Sequence, residues 1–130
     1  MKGFFGVDRS IVRSIDLKGP TIAIPARLVM VITLIFHELT TNSIKYGSLS
    51  NATGRILVTW SRTEADEVSI QWTETGGPPV TPPVRKGFGS ELLTKMVASE
   101  GGSTSYEFHS DGLRCSIHLK LAAATETQPA

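Results

Sequence analysis

Phe36-His37-Glu38-Leu39-Thr40-Thr41-Asn42-Ser43-Ile44-Lys45-Tyr46-Gly47 is the stretch on which the reading of this chain turns. It closes a run from Ala26 to Tyr46 that holds neither proline nor glycine, which predicts a helix of about five turns. Leu28, Ile32, Ile35 and Leu39 recur at helical spacing and define one core-facing stripe. Glu38, Asn42 and Lys45 follow one another at spacings of four and three, so they share a flank beside that stripe. Gly47 is expected to end the helix as its C-cap. An acid, an amide and an amine thus line up next to a buried surface. An amide oxygen and a carboxylate can hold a hard divalent cation, directly or through water. An ammonium can neutralise phosphate oxygens. On spacing alone, an ordinary polar helix edge accounts for the flank better than a site does, and the remaining motifs decide between them.

Working outward, 130 residues suit one domain with one modest core. An apolar content of 40% fits a globular chain, and a net charge of +1 points to neither nucleic acid nor an acidic membrane surface. The lysines and arginines are scattered. The single Cys115 excludes an internal disulfide and fits a reducing, cytoplasmic setting. The apolar run Leu28 to Phe36 is too short to span a bilayer, and Met1 to Gly6 does not read as a signal peptide.

Before the helix, Ser14 to Lys18 and Thr21 to Ile24 alternate around Gly19-Pro20, which predicts two short strands, and Pro25 is placed to open the helix. Asp8 to Ser14 is ambiguous between a helix end and an edge segment. After the helix, Arg55 to Arg62 and Glu67 to Thr73 read as a hairpin, with Ile56, Val58 and Trp60 on one face and Val68, Ile70 and Trp72 on one face. Residues 76–89 hold four glycines and four prolines, a composition suited to a lid or binding loop. Ser90 can cap a second helix, Glu91 to Glu100, with Leu92, Leu93, Met96 and Val97 as its apolar face and Gly101-Gly102 as its stop. Ser103 to His109 and Leu113 to Leu121 are two further strands joined at Ser110-Asp111-Gly112. The expected organisation is an N-terminal segment 1–11, a domain 12–121 and a frayed tail 122–130. The expected fold is an α/β sandwich: a mixed, mainly antiparallel sheet with helices packed on one face.

Three motifs now stand in order. His37 to Gly47 resembles the N box of sensor histidine kinases, and more closely that of the HWE group, named for its His, Trp and Glu. Trp72-Thr73-Glu74-Thr75-Gly76-Gly77-Pro78 resembles that group's first glycine box, and Gly87-Phe88-Gly89-Ser90 its second. The resemblance extends over residues 12–121 and implies the Bergerat-type ATP-binding fold shared with gyrase, heat-shock protein 90 and mismatch-repair ATPases. It implies ATP and Mg2+ as ligands. Asn42 would bind the magnesium ion that bridges the phosphates, and Lys45 would approach phosphate. Glu38 would assist proton removal from an acceptor histidine or orient it, with His37 in a supporting role. Glu74 would accept a hydrogen bond from the adenine amino group, where more distant relatives carry Asp. Gly76 and Gly77 would let the backbone approach a flat base, and Gly87, Phe88 and Gly89 would face anionic phosphate at a helix start. Tyr46 either closes over ribose or ends the helix stripe.

Other patterns give blander readings. His37-Glu38 opens like a zinc protease motif, but position 41 is Thr rather than His. No Walker A pattern is present, so an ATP site here is not of the P-loop kind. His37 also suits a structural role tying its helix to a loop. His109 and His118 lie in predicted strands away from paired acids, Cys115 reads as a core thiol, and Trp60 as core. A histidine kinase also needs a helical dimerisation domain that bears the acceptor histidine, with a response regulator downstream. Met1 to Pro25 holds no such helical hairpin, so the acceptor is expected on another part of a longer chain or on a partner. The alternatives are a stand-alone protein-serine kinase of the anti-sigma type and a non-catalytic docking module of the same fold.

Overall fold

The computed structural model describes residues 14–78 and 88–122, and for residues 88–90 the backbone alone. The expected segment 1–11, nearly all of the expected tail 122–130, the Asp8 to Ser14 question apart from Ser14, and most of the glycine- and proline-rich loop lie outside the described residues.

The helix predicted from Ala26 to Tyr46 is present with those bounds and is α1. It follows strand β1, Ile15–Lys18, and precedes a 3-10 turn at Ser48–Ser50. Strands β2, Arg55–Arg62, and β3, Glu67–Thr75, form the expected hairpin. Helix α2 is Phe88–Ser99, and β4, Ser103–His109, pairs with β5, Gly112–Lys120. The five strands run in the order β1-β2-β3-β5-β4. Among the described residues only the β1–β2 pair is parallel, so the sheet is mixed and mainly antiparallel.

Both helices bury their apolar sides against the sheet in one core. The α1 stripe consists of Leu28, Val31, Ile35 and Leu39 and ends in Ser43. Val31, rather than Ile32, takes the central line, while Ile32 is half-buried at its edge. The sheet meets this stripe with Ile56 and Val58 of β2, Val68, Ile70 and Trp72 of β3, and Cys115, Ile117 and Leu119 of β5, as period-two alternation requires. Arg27, at the start of α1, donates to Glu100 Oε1 at 2.8 Å and to the carbonyls of Lys120 and Leu121 at 3.0 and 2.6 Å. It thereby joins α1 to the end of α2 and the end of β5.

Four expectations are corrected. Thr21 to Ile24 is not a strand. Pro20 and Pro25 bracket it and each lacks an amide donor, so Ile22 and Ile24 pack on the core without ladder pairing. Helix α2 starts at Phe88, which places Gly89 and Ser90 inside its first turn rather than before it. Leu92 is 48% exposed, while Leu93 and Val97 carry the contact with the core. Trp60 lies at the rim, half-buried, where its indole N–H donates to the Pro20 carbonyl at 2.7 Å. The predicted stop at Gly101-Gly102 is present. Gly101 takes φ +77°, and the Gly101 and Gly102 amides bond to the carbonyls of Ala98 and Val97, which closes the helix end.

Candidate functional site

The inward face of β3 reads Val68, Ile70, Trp72 and then Glu74. The fourth position of this apolar alternation is a carboxylate with only 2% of its surface exposed. A buried carboxylate needs donors, and three converge on it. Glu74 Oε1 accepts from the Ser43 hydroxyl and from the Ser48 backbone N–H, each at 3.0 Å. Glu74 Oε2 accepts from the Trp72 indole N–H at 2.7 Å. Ser43 Oγ in turn accepts the Leu49 amide at 3.1 Å. The Trp72 ring is held from the helix side by Phe36, with centroids 6.2 Å apart.

The cluster explains Gly47. Its φ of −117° lies outside the left-handed region, so the turn alone does not demand glycine. A Cβ there would lie 2.3 Å from Glu74 Oε1, and that lack of space is what requires glycine. The helix does end as expected, with the Gly47 amide on the Ser43 carbonyl at 2.9 Å.

The first glycine box packs on the segment that follows α1. Gly76 has φ +75°, and a Cβ would sit 2.5 Å from the Thr53 carbonyl oxygen; at Gly77 one would sit 2.4 Å from Ser48 Cα. The Thr53 hydroxyl donates to the Gly76 carbonyl at 2.7 Å, and Asn51 Oδ1 accepts the amides of Thr53 and Gly54 at 3.1 and 2.9 Å. The neighbours that exclude a side chain at both glycines are therefore protein backbone.

The polar flank of α1 is in the opposite condition. Glu38 and Asn42 are half-buried and Lys45 is exposed. None of the three side chains makes a hydrogen bond or ion pair with the described residues, so among those residues their donors and acceptors are unspent. His37 is exposed and makes no hydrogen bond or ion pair with the described residues, so a role tying the helix to a loop finds no support among them. Tyr46 is 44% exposed at the helix end. Phe88 and Gly89 lie in the first turn of α2, and Gly87 falls outside the described residues.

Ser43 and the Ser48 amide were not singled out from sequence, nor was the indole N–H of Trp72. Ser43 had a signal, because it stands four residues after Leu39 on the apolar stripe, where a polar residue needs a partner. Among the other candidates, Cys115 is fully buried. Burial, and secondarily the charge of Glu74, push its thiol up to about 12, so it is inert. The histidines do have acids nearby: His109 Nε2 lies 2.9 Å from Glu107 Oε1, and His118 Nδ1 lies 3.9 Å from Glu67 Oε1. The cross-strand geometry that brings His118 to Glu67 was not visible in their sequence separation. Among the described residues no group of three or more His, Cys, Asp or Glu could hold a metal ion, and no helix is long and apolar enough to cross a membrane.

No family model matches the chain. Known proteins do. Blue-light-activated histidine kinase 1 of Erythrobacter litoralis is 41% identical over 111 residues, covering 82% of this chain and 30% of that protein. The blue-light-activated histidine kinase of Brucella ovis is 38% identical over 103 residues, covering 76% of this chain and 21% of that protein. The chain thus spans less than a third of the length of these curated relatives. Among solved structures, the histidine kinase domain of the Erythrobacter litoralis EL346 blue-light-activated kinase superposes with a TM-score of 0.70 at 17% identity, over 83% of this chain and 51% of that one. The catalytic domain of histidine kinase ThkA superposes at 0.63 with 18% identity, over 83% of this chain and 79% of that one. The fold is that of histidine kinase catalytic domains, the Bergerat ATP-binding fold. In sequence, the chain is a relative of the blue-light-activated histidine kinases.

Proposed function

We propose that this chain is the ATP-binding catalytic domain of a two-component sensor histidine kinase of the HWE group, acting in the cytoplasm. It would move the γ-phosphoryl group of ATP to a histidine on a helical dimerisation domain, for onward passage to a response regulator. The observation that carries this reading is the contrast along the end of α1. Glu38, Asn42 and Lys45 are unspent on its flank, while Ser43, between them in sequence, anchors the buried carboxylate of Glu74. The 38–41% identity to histidine kinases supports the same reading and weighs against the serine-kinase alternative.

The donor set suits the ligands. Asn42 offers one hard amide oxygen, which fits a magnesium ion that takes its other ligands from phosphates and water. Magnesium, when bound, would neutralise charge on the β- and γ-phosphate oxygens. Lys45 supplies a further positive charge to phosphate. Glu74 accepts from the adenine amino group, directly or through water. Gly76 and Gly77 hold the loop after α1 against the end of β3. Gly87, Phe88 and Gly89 lend backbone to phosphate at the start of α2, and Tyr46 borders the ribose. In the transfer, an imidazole nitrogen lone pair of the acceptor forms the N–P bond as the bond from phosphorus to the ADP oxygen breaks. Glu38 takes or orients the proton on the other ring nitrogen, and His37 supports it.

The test is incubation with γ-labelled ATP, with and without a histidine-bearing dimerisation domain from a relative. An acid-labile, base-stable label on the supplied domain is expected, with none on His37, His109 or His118. A stable stoichiometric phosphohistidine on this chain, or an acid-stable phosphoserine on the partner, would contradict the proposal.

A further inference from the structure

A carboxylate offers about four acceptor positions. Among the described residues, three at Glu74 are taken: two on Oε1, by Ser43 and Ser48, and one on Oε2, by Trp72. One position on Oε2 is left. The three donors come from rigid places. One is an indole wedged in the core at 2% exposure, one is a serine hydroxyl 1% exposed on the buried stripe, and one is a backbone amide in the turn after α1. Neither oxygen can rotate without breaking a bond to a buried group, so the direction of the remaining lone pair is set by its neighbours.

We propose that Trp72 and Ser43 are positioning residues for base selection: by occupying the other acceptor positions of Glu74, they leave one fixed vacancy that accepts an exocyclic amino group and repels a carbonyl at the same place. The inference rests on the adenine-reading role proposed for Glu74 and adds which residues make that reading selective. The chemistry is one-sided. With donors already on both oxygens, the carboxylate presents only a lone pair to a ligand. A six-amino purine donates to it, whereas a six-oxo purine sets oxygen against oxygen. A site built to take one donor rejects the analogue that lacks it because its buried acceptor is then left unpaired. Replacing the indole by a ring without N–H frees Oε2 to turn or to take water, and the vacancy loses its direction while the ring packing against Phe36 is largely kept.

The experiment compares ATP with ITP, which carries a carbonyl in place of the amino group, by calorimetric titration with magnesium on the whole chain. The parent is expected to prefer ATP, and Glu74→Gln to lose that preference. Trp72→Phe is expected to lower the ATP-to-ITP affinity ratio about tenfold while leaving ITP affinity unchanged. A folded Trp72→Phe with the parent's ratio, beside a Glu74→Gln that has lost it, would overturn the positioning role and leave the proposed function standing. Equal weakening of both nucleotides would also overturn it, since that is what a merely structural tryptophan does. A parent that binds neither nucleotide, or both alike, would remove the adenine assignment and this inference with it. If circular dichroism shows Trp72→Phe to be unfolded, Ser43→Ala is read by the same ratio and the same outcomes decide.

Discussion

Replacing Glu74 by Gln changes one oxygen into an amide nitrogen and leaves the shape almost intact, so it isolates the hydrogen-bond pattern. The amide oxygen will take the Oε1 position, where two donors wait at 3.0 Å each. That puts the amide N–H2 against the Trp72 indole N–H, which now lies 2.7 Å from an acceptor. Two donors then face each other in a buried place. Leaving the indole N–H unsatisfied costs about 1–3 kcal/mol, and loss of charge assistance in the two remaining bonds adds about 1–2 kcal/mol. The sum is about 2–5 kcal/mol, which at an ordinary urea dependence of about 2 kcal/mol/M moves the unfolding midpoint by about 1–2.5 M. Equilibrium urea unfolding read by tryptophan fluorescence measures it. The double mutant with Trp72→Phe completes a cycle, in which a coupling of at least about 0.5 kcal/mol is expected because the second change removes the conflicting donor. A Glu74→Gln protein within about 0.5 kcal/mol of the parent, or a cycle that closes additively, would refute the three-donor account.

Three other predictions follow from the packing. The Cys115 thiol ionises near 9.0 when unfolded and near 12 when folded, so the folded chain keeps a proton that the unfolded chain has lost; stability contributed by this group is complete below 9.0 and falls by up to about 1.4 kcal/mol per pH unit on the way to 12. A pH series of urea midpoints for the parent and Cys115→Ala checks this, and the parent's thiol should resist labelling until the protein unfolds. Gly47→Ala places a methyl 2.3 Å from Glu74 Oε1 and should destabilise by about 1–3 kcal/mol in thermal or urea melts. Arg27→Ala removes three hydrogen bonds that join α1 to α2 and β5 and should cost about 1–3 kcal/mol, with hydrogen exchange rising first at the end of β5.

Much of the fold was legible because local signals agreed. An uninterrupted run made α1 long, period-two alternation set the inward faces of β2, β3 and β5, and paired glycines stopped α2. Thr21 to Ile24 misled because alternation reports a half-buried segment and not a partner to pair with. The start of α2 was set too late because Gly89 reads as a breaker while its helix tolerates it in the first turn. Within the site, Glu74 stood out as a motif residue, yet its surroundings did not. Trp72 donates from two residues away on the same strand, but the other two donors come from Ser43 and Ser48, 31 and 26 residues away, and only the folded chain brings them together. Gly47 was legible as a helix stop, but its real constraint is the carboxylate beneath it, a long-range contact that turn chemistry cannot report.

Whether this fold holds a nucleotide through the flank of α1 is tested most directly by calorimetric titration of ATP into the chain, with and without magnesium, beside Asn42→Ala and Glu38→Ala. Saturable binding in the micromolar-to-millimolar range that needs magnesium is expected. Asn42→Ala should weaken it by about 1–3 kcal/mol, while Glu38→Ala leaves binding intact and slows only transfer to a supplied histidine. Absence of binding at millimolar ATP with magnesium present would contradict the central claim.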